Sequence, residues 1–312
     1  MENRRIVIIT GANSGIGKEA AQRFANEGDH VIMACRNIAF SRKVQHDIIA
    51  ASGNDHVDLL ELDVSSFASI RTFCTTFNSQ YKRLDILIHN AAYFNHGEPY
   101  RLSPDGIELT FATNVFGPYL LTSLLRDRLK QSEDPRILHA GSNIIKHFFD
   151  PKQTFDLDLL QGNHGTKSYS VYKMYCQSKM ALMLLTFQMA EVFADDGIKV
   201  NALQINGAKM SKRTIQKVKP WWRPIAWGQN LFFPPPSYMA DKYFTICTSD
   251  KYKQTTGKLF NDKLEIMEPS PTHYPGFFKQ MKLLLGSNVY PAYENTNIRE
   301  KLWALCKELV GE

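Results

Sequence analysis

The chain has no stretch of eighteen uninterrupted apolar residues, so the sequence predicts no membrane-spanning helix. It has no block of five or six like charges either. Its net charge of +6 is spread along 312 residues, which argues against nucleic acid and suits a small phosphate-bearing ligand. The five cysteines, Cys35, Cys74, Cys176, Cys247 and Cys306, are odd in number and far apart, with no Cys-x-x-Cys and no Cys/His pair at zinc spacing. That pattern predicts a reducing compartment, no disulfide framework and no metal site. Met1 is followed at once by charged residues and a short β-like run, which leaves no room for a signal peptide, so the expected location is cytoplasmic or peripheral to a membrane. No linker-like stretch divides the chain, and 1–312 reads as one domain. What is present is a hydrophobic content of 44% against 22% charge, enough to bury a large core.

Residues 4–10, Arg-Arg-Ile-Val-Ile-Ile-Thr, form a β-branched run of the kind found in a strand buried on both faces of a parallel sheet. Gly11, Gly15 and Gly17 follow, and then Ala20, Ala21, Phe24 and Ala25 at helical spacing. Strand, glycine turn, helix is the arrangement that lets backbone approach a pyrophosphate and points unpaired N–H groups at it. A second strand, 30–35, ends at Cys35-Arg36-Asn37 with no acid before Asp47. An arginine there accommodates the 2′-phosphate of NADP, where NAD-preferring sites place a carboxylate on the ribose, so Arg36 predicts NADP(H) over NAD(H).

The alternation continues with helix 40–51, strand 57–63, helix 66–81, strand 84–91, a long helical stretch 103–130 bent near Gly117-Pro118, strand 136–140, helix 168–193 and strand 199–205. Interleaved strands and helices imply an α/β Rossmann-type doubly wound parallel sheet of about seven strands in a single domain. Ligands in such sheets sit beyond the strand carboxyl ends, which here carry Gly11, Arg36, Asp63, Asn90 and Ser142.

Within helix 168–193, Tyr175 and Lys179 lie four residues apart and so on one face. A fixed cation beside a phenol favours the phenolate and would draw its pKa down toward the working range. Tyr169 and Lys173 fit the same bare spacing, so the pair alone decides nothing. After Ile205 the regularity fails. Residues 210–236, within an aromatic-rich substrate-side segment 208–240, carry Trp221, Trp222, Trp227, Phe232 and Phe233 with five prolines, and this stretch reads as helix-poor. It fits a lid over an apolar substrate, a membrane-surface contact through 218–236, or a core or dimer interface. Helix 237–248, strand 258–261 and a terminal amphipathic helix 297–310 complete the pattern, with 262–312 as a carboxyl-terminal extension.

In order, Thr10-Gly-Ala-Asn-Ser-Gly-Ile-Gly17, Asp63-Val64, Asn90-Ala91-Ala92, Asn114, Ser142 and Tyr175-x-x-x-Lys179 resemble the short-chain dehydrogenase/reductase family over residues 4–261. Ala34-Cys-Arg36, Ser178-Lys-Met-Ala181 and Leu302-Trp-Ala-Leu305 look most like the retinol dehydrogenase group and the oxidoreductase domain of the WW domain-containing oxidoreductase. The resemblance implies hydride exchange between NADP(H) and a carbonyl or alcohol, on an apolar substrate such as a retinoid, steroid, lipid or xenobiotic. Asn114, Ser142, Tyr175 and Lys179 would be catalytic: Tyr175 the general acid/base, Ser142 the carbonyl partner, Lys179 the tuning cation and ribose contact, Asn114 the holder of a relay water. Cofactor contacts would come from Gly11, Asn13, Ser14, Gly15, Ile16, Gly17, Arg36, Asp63, Val64, Asn90, Ala91, Tyr175, Lys179, Asn206 and Gly207. The resemblance breaks at Asn206, where the family usually has proline, and at Ala92, where glycine is usual. The alternative is a cofactor-binding regulatory protein of the same fold with little turnover.

Overall fold

A computed structural model of the chain describes residues 4–94, 99–150, 153–160, 169–210, 215–216, 223–270, 288–292 and 296–312. β1 (Ile6–Thr10), α1 (Gly15–Asn26), β2 (His30–Cys35), α2 (Ile38–Ser52), β3 (Val57–Glu61), α3 (Phe67–Gln80) and β4 (Ile86–His89) alternate through the first half. Next come the short α4 (Leu109–Phe111), a π-helical turn Ala112–Phe116 and α5 (Gly117–Leu129). The second half holds β5 (Arg136–Ser142), α6 (Leu157–Leu160), α7 (Val171–Val192), β6 (Lys199–Ile205), α8 (Arg223–Phe232), α9 (Pro236–Thr248) and β7 (Lys258–Phe260). A two-stranded pair, Glu268–Pro269 with Val289–Tyr290, and α10 (Thr296–Val310) close the chain.

The seven main strands form one parallel sheet in the order β3-β2-β1-β4-β5-β6-β7. Strand side chains alternate between faces, and each face has its own apolar core. Ile8, Ile32 and Leu87 pack with α3, α5, α7 and α10, while Val7, Ile9, Val31, Met33 and Ile88 pack with α1, α2 and α9. Both faces being covered is why the strands read as continuous apolar runs rather than alternating ones. The order reverses direction between β1 and β4, so a crevice opens above their carboxyl ends.

Three local expectations change. The helix predicted over 103–130 starts at Leu109, because Ser103 turns the chain instead: its Oγ accepts from Asp105 N and Ile107 N, and Gly106 has φ +77°. Glu108 then caps the new start, its carboxylate accepting from the N–H groups of Thr110 and Phe111. Where a bend was expected near Gly117-Pro118, a π-helical turn runs into Gly117. The stretch 210–236 contains a ten-residue helix, α8, and so is not helix-poor among its described residues; Trp221 and Trp222 lie outside them. The tyrosine helix begins after Ser170, whose side chain caps it at Lys173 N, so Tyr169 precedes it; Ser168, its expected start, lies outside the described residues.

The carboxyl-terminal extension is built into the main core. Leu302, Leu305 and Cys306 are buried with α7, and Trp303 meets the rings of Tyr119 and Phe193 edge-on. Arg71 also donates to the Val310 carbonyl at 2.7 Å.

Candidate active site

Thr10 ends β1 and ties it to β4. Its buried hydroxyl accepts from Asn90 N at 3.0 Å and Ala91 N at 2.9 Å, and Asn90 Nδ2 donates back to the Thr10 carbonyl at 3.0 Å. The chain then leaves through Gly11, whose φ of +67° favours glycine. Gly17 sits so close beneath that a Cβ there would lie 2.4 Å from Asn90 Nδ2 and 2.5 Å from the Gly11 carbonyl oxygen. Gly15 faces open space with φ +55°, and Ser14, at the helix start, makes no side-chain cap. The first N–H groups of α1 are therefore left facing the turn, which is the anion-binding arrangement. Asn13 Nδ2 donates to Ser41 Oγ at 2.8 Å and pins the turn to α2.

Arg36 leaves the end of β2 with a side chain 72% exposed, its NH1 3.8 Å from Asp63 Oδ2. Asp63 is committed elsewhere, since its Oδ1 accepts from Ser65 N and Ser65 Oγ at 3.0 and 2.6 Å. Val64 is buried, with its carbonyl oxygen against Gly117.

Beside the glycine turn, a cavity of about 300 Å³ is lined by Ile16, Asn90, Ala92, Ala140, Gly141, Ser142, Asn143, Tyr175, Lys179, Ile205, Asn206 and Gly207. Lys179 is buried and donates to the Ala140 carbonyl at 2.8 Å. Desolvation lowers its pKa to about 8, since burial disfavours the charged form. Its nitrogen lies 5.9 Å from the Tyr175 ring centroid. Tyr175 itself shifts upward: burial raises its pKa most, a side-chain hydrogen bond with Ser142 opposes that, and Cys176 adds to the rise. This reverses the expected lowering by Lys179. The ammonium is turned toward a backbone carbonyl, and loss of water around the phenol is the dominant cause. Ser142 Oγ accepts from Ile144 N at 3.3 Å as it caps the 3₁₀ turn Asn143–Phe149. The Phe94 ring meets the Tyr175 ring edge-on, centroids 4.7 Å apart.

Asn114 lies in the π-helical turn, buried behind the cavity. Its side-chain amide is fully engaged: Oδ1 accepts from Tyr93 N, and Nδ2 donates to Tyr93 O at 2.9 Å and to Ser178 Oγ at 3.1 Å. Asn206 is exposed at the cavity rim, its carbonyl accepting from Asn143 Nδ2 and its Oδ1 from Gln204 Nε2.

Of the residues picked from sequence, Ile16, Asn90, Ser142, Tyr175, Lys179, Asn206 and Gly207 line this one cavity. Gly11, Asn13, Ser14, Gly15, Gly17 and Ala91 form the adjoining turn and its backing, Arg36 and Asp63 stand at neighbouring strand ends, Asn114 lies behind, and Val64 is buried against Gly117. The rival Tyr169 is elsewhere, donating to the buried Glu108 carboxylate at 2.8 Å. Sequence reasoning missed Thr10 as a strand tie, Ala140 as the lysine acceptor, Ser178 behind Asn114, and Tyr243, whose buried hydroxyl donates to Asn90 Oδ1 at 3.3 Å. Thr10 and Ser178 stand within the motifs and were there to be found. Ala140 and Tyr243 act through long-range geometry that leaves no local signal.

A family profile described as short chain dehydrogenase matches residues 5–149. Among curated relatives, retinol dehydrogenase 13 of Homo sapiens is 31% identical over 98% of this chain and 85% of its own length. Retinol dehydrogenase 11 of Mus musculus is 35% identical over 83% of this chain and 78% of its own. The WW domain-containing oxidoreductase of Danio rerio is 34% identical over 70% of this chain and 52% of its own. Among solved structures, a Mycobacterium paratuberculosis protein described as uncharacterised superposes with TM-score 0.66 at 23% identity, covering 98% of this chain and 93% of that one. A short chain dehydrogenase from Escherichia coli, complexed with NADPH, gives 0.64 at 21% identity over 84% and 97%.

Proposed function

The chain belongs to the short-chain dehydrogenase/reductase family, an oxidoreductase family it shares with the retinol dehydrogenases, and from that premise we propose that it interconverts a carbonyl and an alcohol on an apolar substrate, using NADP(H). The observation that carries this reading is the single cavity in which Tyr175, Ser142 and Lys179 converge beside the glycine turn. A proton donor, a carbonyl partner and a cation at one wall are the set that hydride exchange requires. The turn fits a dinucleotide: Gly17 permits the close approach of Asn90, and the uncapped start of α1 offers N–H groups to a pyrophosphate. Gly11, Asn13, Ser14, Gly15, Ile16, Gly17 and Asn90 would hold it, and the exposed Arg36 guanidinium would meet a 2′-phosphate. When bound, the nicotinamide gives or takes the hydride.

Tyr175 donates its phenolic proton to the oxygen of the carbonyl being reduced, and reclaims it in oxidation. Its raised pKa keeps the phenol protonated, which suits the donor role. The Ser142 hydroxyl holds the substrate oxygen as charge grows on it. Lys179, fixed on the Ala140 carbonyl, faces the same wall and can resupply the proton. Because the Asn114 amide is spent on Tyr93 and Ser178, a relay water at Asn114 would sit on its backbone carbonyl; π-helical turns break the i→i+4 ladder and free such groups. The apolar substrate class is supported by Phe94 over Tyr175 and by the aromatic segment around α8.

A panel of carbonyl compounds followed by NADPH absorbance tests this. Apolar ketones and aldehydes should turn over, and Tyr175→Phe should lower kcat by ~10²–10⁴-fold with cofactor affinity retained. A Tyr175→Phe enzyme of full activity would end the assignment. Cofactor binding without turnover of any compound would favour the regulatory alternative, and tighter binding of NADH than NADPH would overturn the role of Arg36.

A further inference from the structure

Gln204, near the end of β6, is only 2% exposed. Leu203 and Ile205 on either side turn to the α9 face of the sheet, so the Gln204 side chain turns to the α7 face, opposite Gly141 in register. There its Nε2 donates to Asn206 Oδ1 at 2.9 Å, while its Oε1 is buried without a hydrogen-bond partner. An unsatisfied buried carbonyl is a standing cost to the fold that an apolar side chain of the same length would avoid. What the glutamine does that such a side chain could not is hold Asn206.

Asn206 is pinned twice, since Asn143 Nδ2 also donates to its carbonyl at 3.3 Å. Both asparagines line the cavity that holds Tyr175 and Ser142. The other amides there are engaged: Asn90 Nδ2 donates to the Thr10 carbonyl, Asn90 Oδ1 accepts from Tyr243, and Asn143 Nδ2 is on Asn206. Asn206 Nδ2 has no partner among the described residues, so a hydrogen-bond donor steadied by a buried side chain is left over at the cavity rim.

We infer, on the dinucleotide reading above, that Gln204 is a positioning residue which orients Asn206 so that Asn206 Nδ2 donates to the carboxamide oxygen of the nicotinamide. With the pyrophosphate at the glycine turn and the 2′-phosphate at Arg36, the polar group left for the hydride-exchanging end is the carboxamide. Ile16 and Ile205 give that end of the cavity apolar surface for the ring, and Asn206 gives it a donor. A proline at 206, usual in the family, has no side-chain donor and would leave Gln204 nothing to hold. The departure from proline and the buried glutamine two residues earlier are thus one device.

Calorimetric titration of the full chain, without substrate, tests this with two ligands: NADPH, and 2′-phospho-ADP-ribose, which lacks the nicotinamide. Asn206→Leu and Gln204→Met should each weaken NADPH by about 3- to 10-fold, the worth of one net hydrogen bond, and leave 2′-phospho-ADP-ribose unchanged. The double variant should lose no more than Asn206→Leu alone, because Gln204 acts through Asn206. Gln204→Met should also keep its melting temperature, since it removes a buried carbonyl that has no partner; Gln204→Leu serves in its place if it does not fold. A merely structural Gln204 would lower the melting temperature and weaken both ligands together. That result, NADPH affinity untouched by either variant, or additive losses in the double variant would overturn the assignment. So would an unchanged NADPH affinity with a raised KM for the carbonyl compound, which would give the Asn206 amide to the substrate. Failure of both nucleotides to bind the unaltered chain would instead remove the dinucleotide reading itself.

Discussion

Lys179 is the residue whose environment departs furthest from what its local sequence suggests. Spacing placed it on one helix face with Tyr175, yet its ammonium is fixed by Ala140 on β5, and burial brings its pKa to about 8. Below that value the lysine carries a proton it can pass on; above it the site is left with a neutral amine. Carbonyl reduction consumes a proton, so its kcat/KM should hold at lower pH and fall as pH rises through about 8, while alcohol oxidation should climb over the same range. Profiles measured in both directions between pH 6 and 10 check this, and a reduction profile flat across that range would remove Lys179 from the proton path. Tyr169 illustrates the converse. Its spacing to Lys173 equals that of Tyr175 to Lys179, but it precedes the helix and is spent on Glu108.

Among the elements, the π-helical turn at Ala112–Phe116 does the most to place the site, because it sets Asn114 against Tyr93 and Ser178. The turn hands over to α5 at Gly117, which lies so close to β3's exit that a Cβ would stand 1.9 Å from the Val64 carbonyl oxygen. Backbone cannot retreat as a side chain can, so Gly117→Ala should cost about 3 kcal/mol in urea unfolding. Gly15→Ala meets nothing within 4 Å and should cost only about 1 kcal/mol, from its φ of +55°. Equal losses in the two variants would mean that the helix shifts to make room. The sequence marked a bend near Gly117-Pro118 but could not show its kind, because a π turn follows from what packs beneath it.

For the whole molecule, all five cysteines are buried thiols, spread over both cores. Desolvation raises Cys74, Cys176 and Cys247 from an ordinary 9.0 to about 12, and Cys35 and Cys306 move the same way. A thiol whose folded pKa exceeds its unfolded one contributes stability that is complete below pH 9 and is lost as pH climbs toward 12. Lys179 acts oppositely between about 8 and 10.5, since the unfolded chain then binds the extra proton, but it is one group against several. The melting temperature should therefore fall above pH 9, and Cys247→Ala should flatten that fall; a melting temperature that held to pH 11 would contradict it.

The sequence by itself determined the seven-stranded parallel sheet, the glycine turn and the strand-end residues, because β-branched runs, glycines and helical spacing are local signals that buried strands and tight turns impose directly. It also separated Tyr175 from Tyr169, by the Ser178 to Ala181 that follows and by the apolar run 182–187 into which it leads. Tertiary structure alone decided which way the Tyr175 pKa moves, what the Asn114 amide holds, and which carbonyl receives Lys179. Those outcomes depend on desolvation and on contacts between residues far apart in the chain, such as Asn114 with Ser178 or Lys179 with Ala140, which no local pattern encodes.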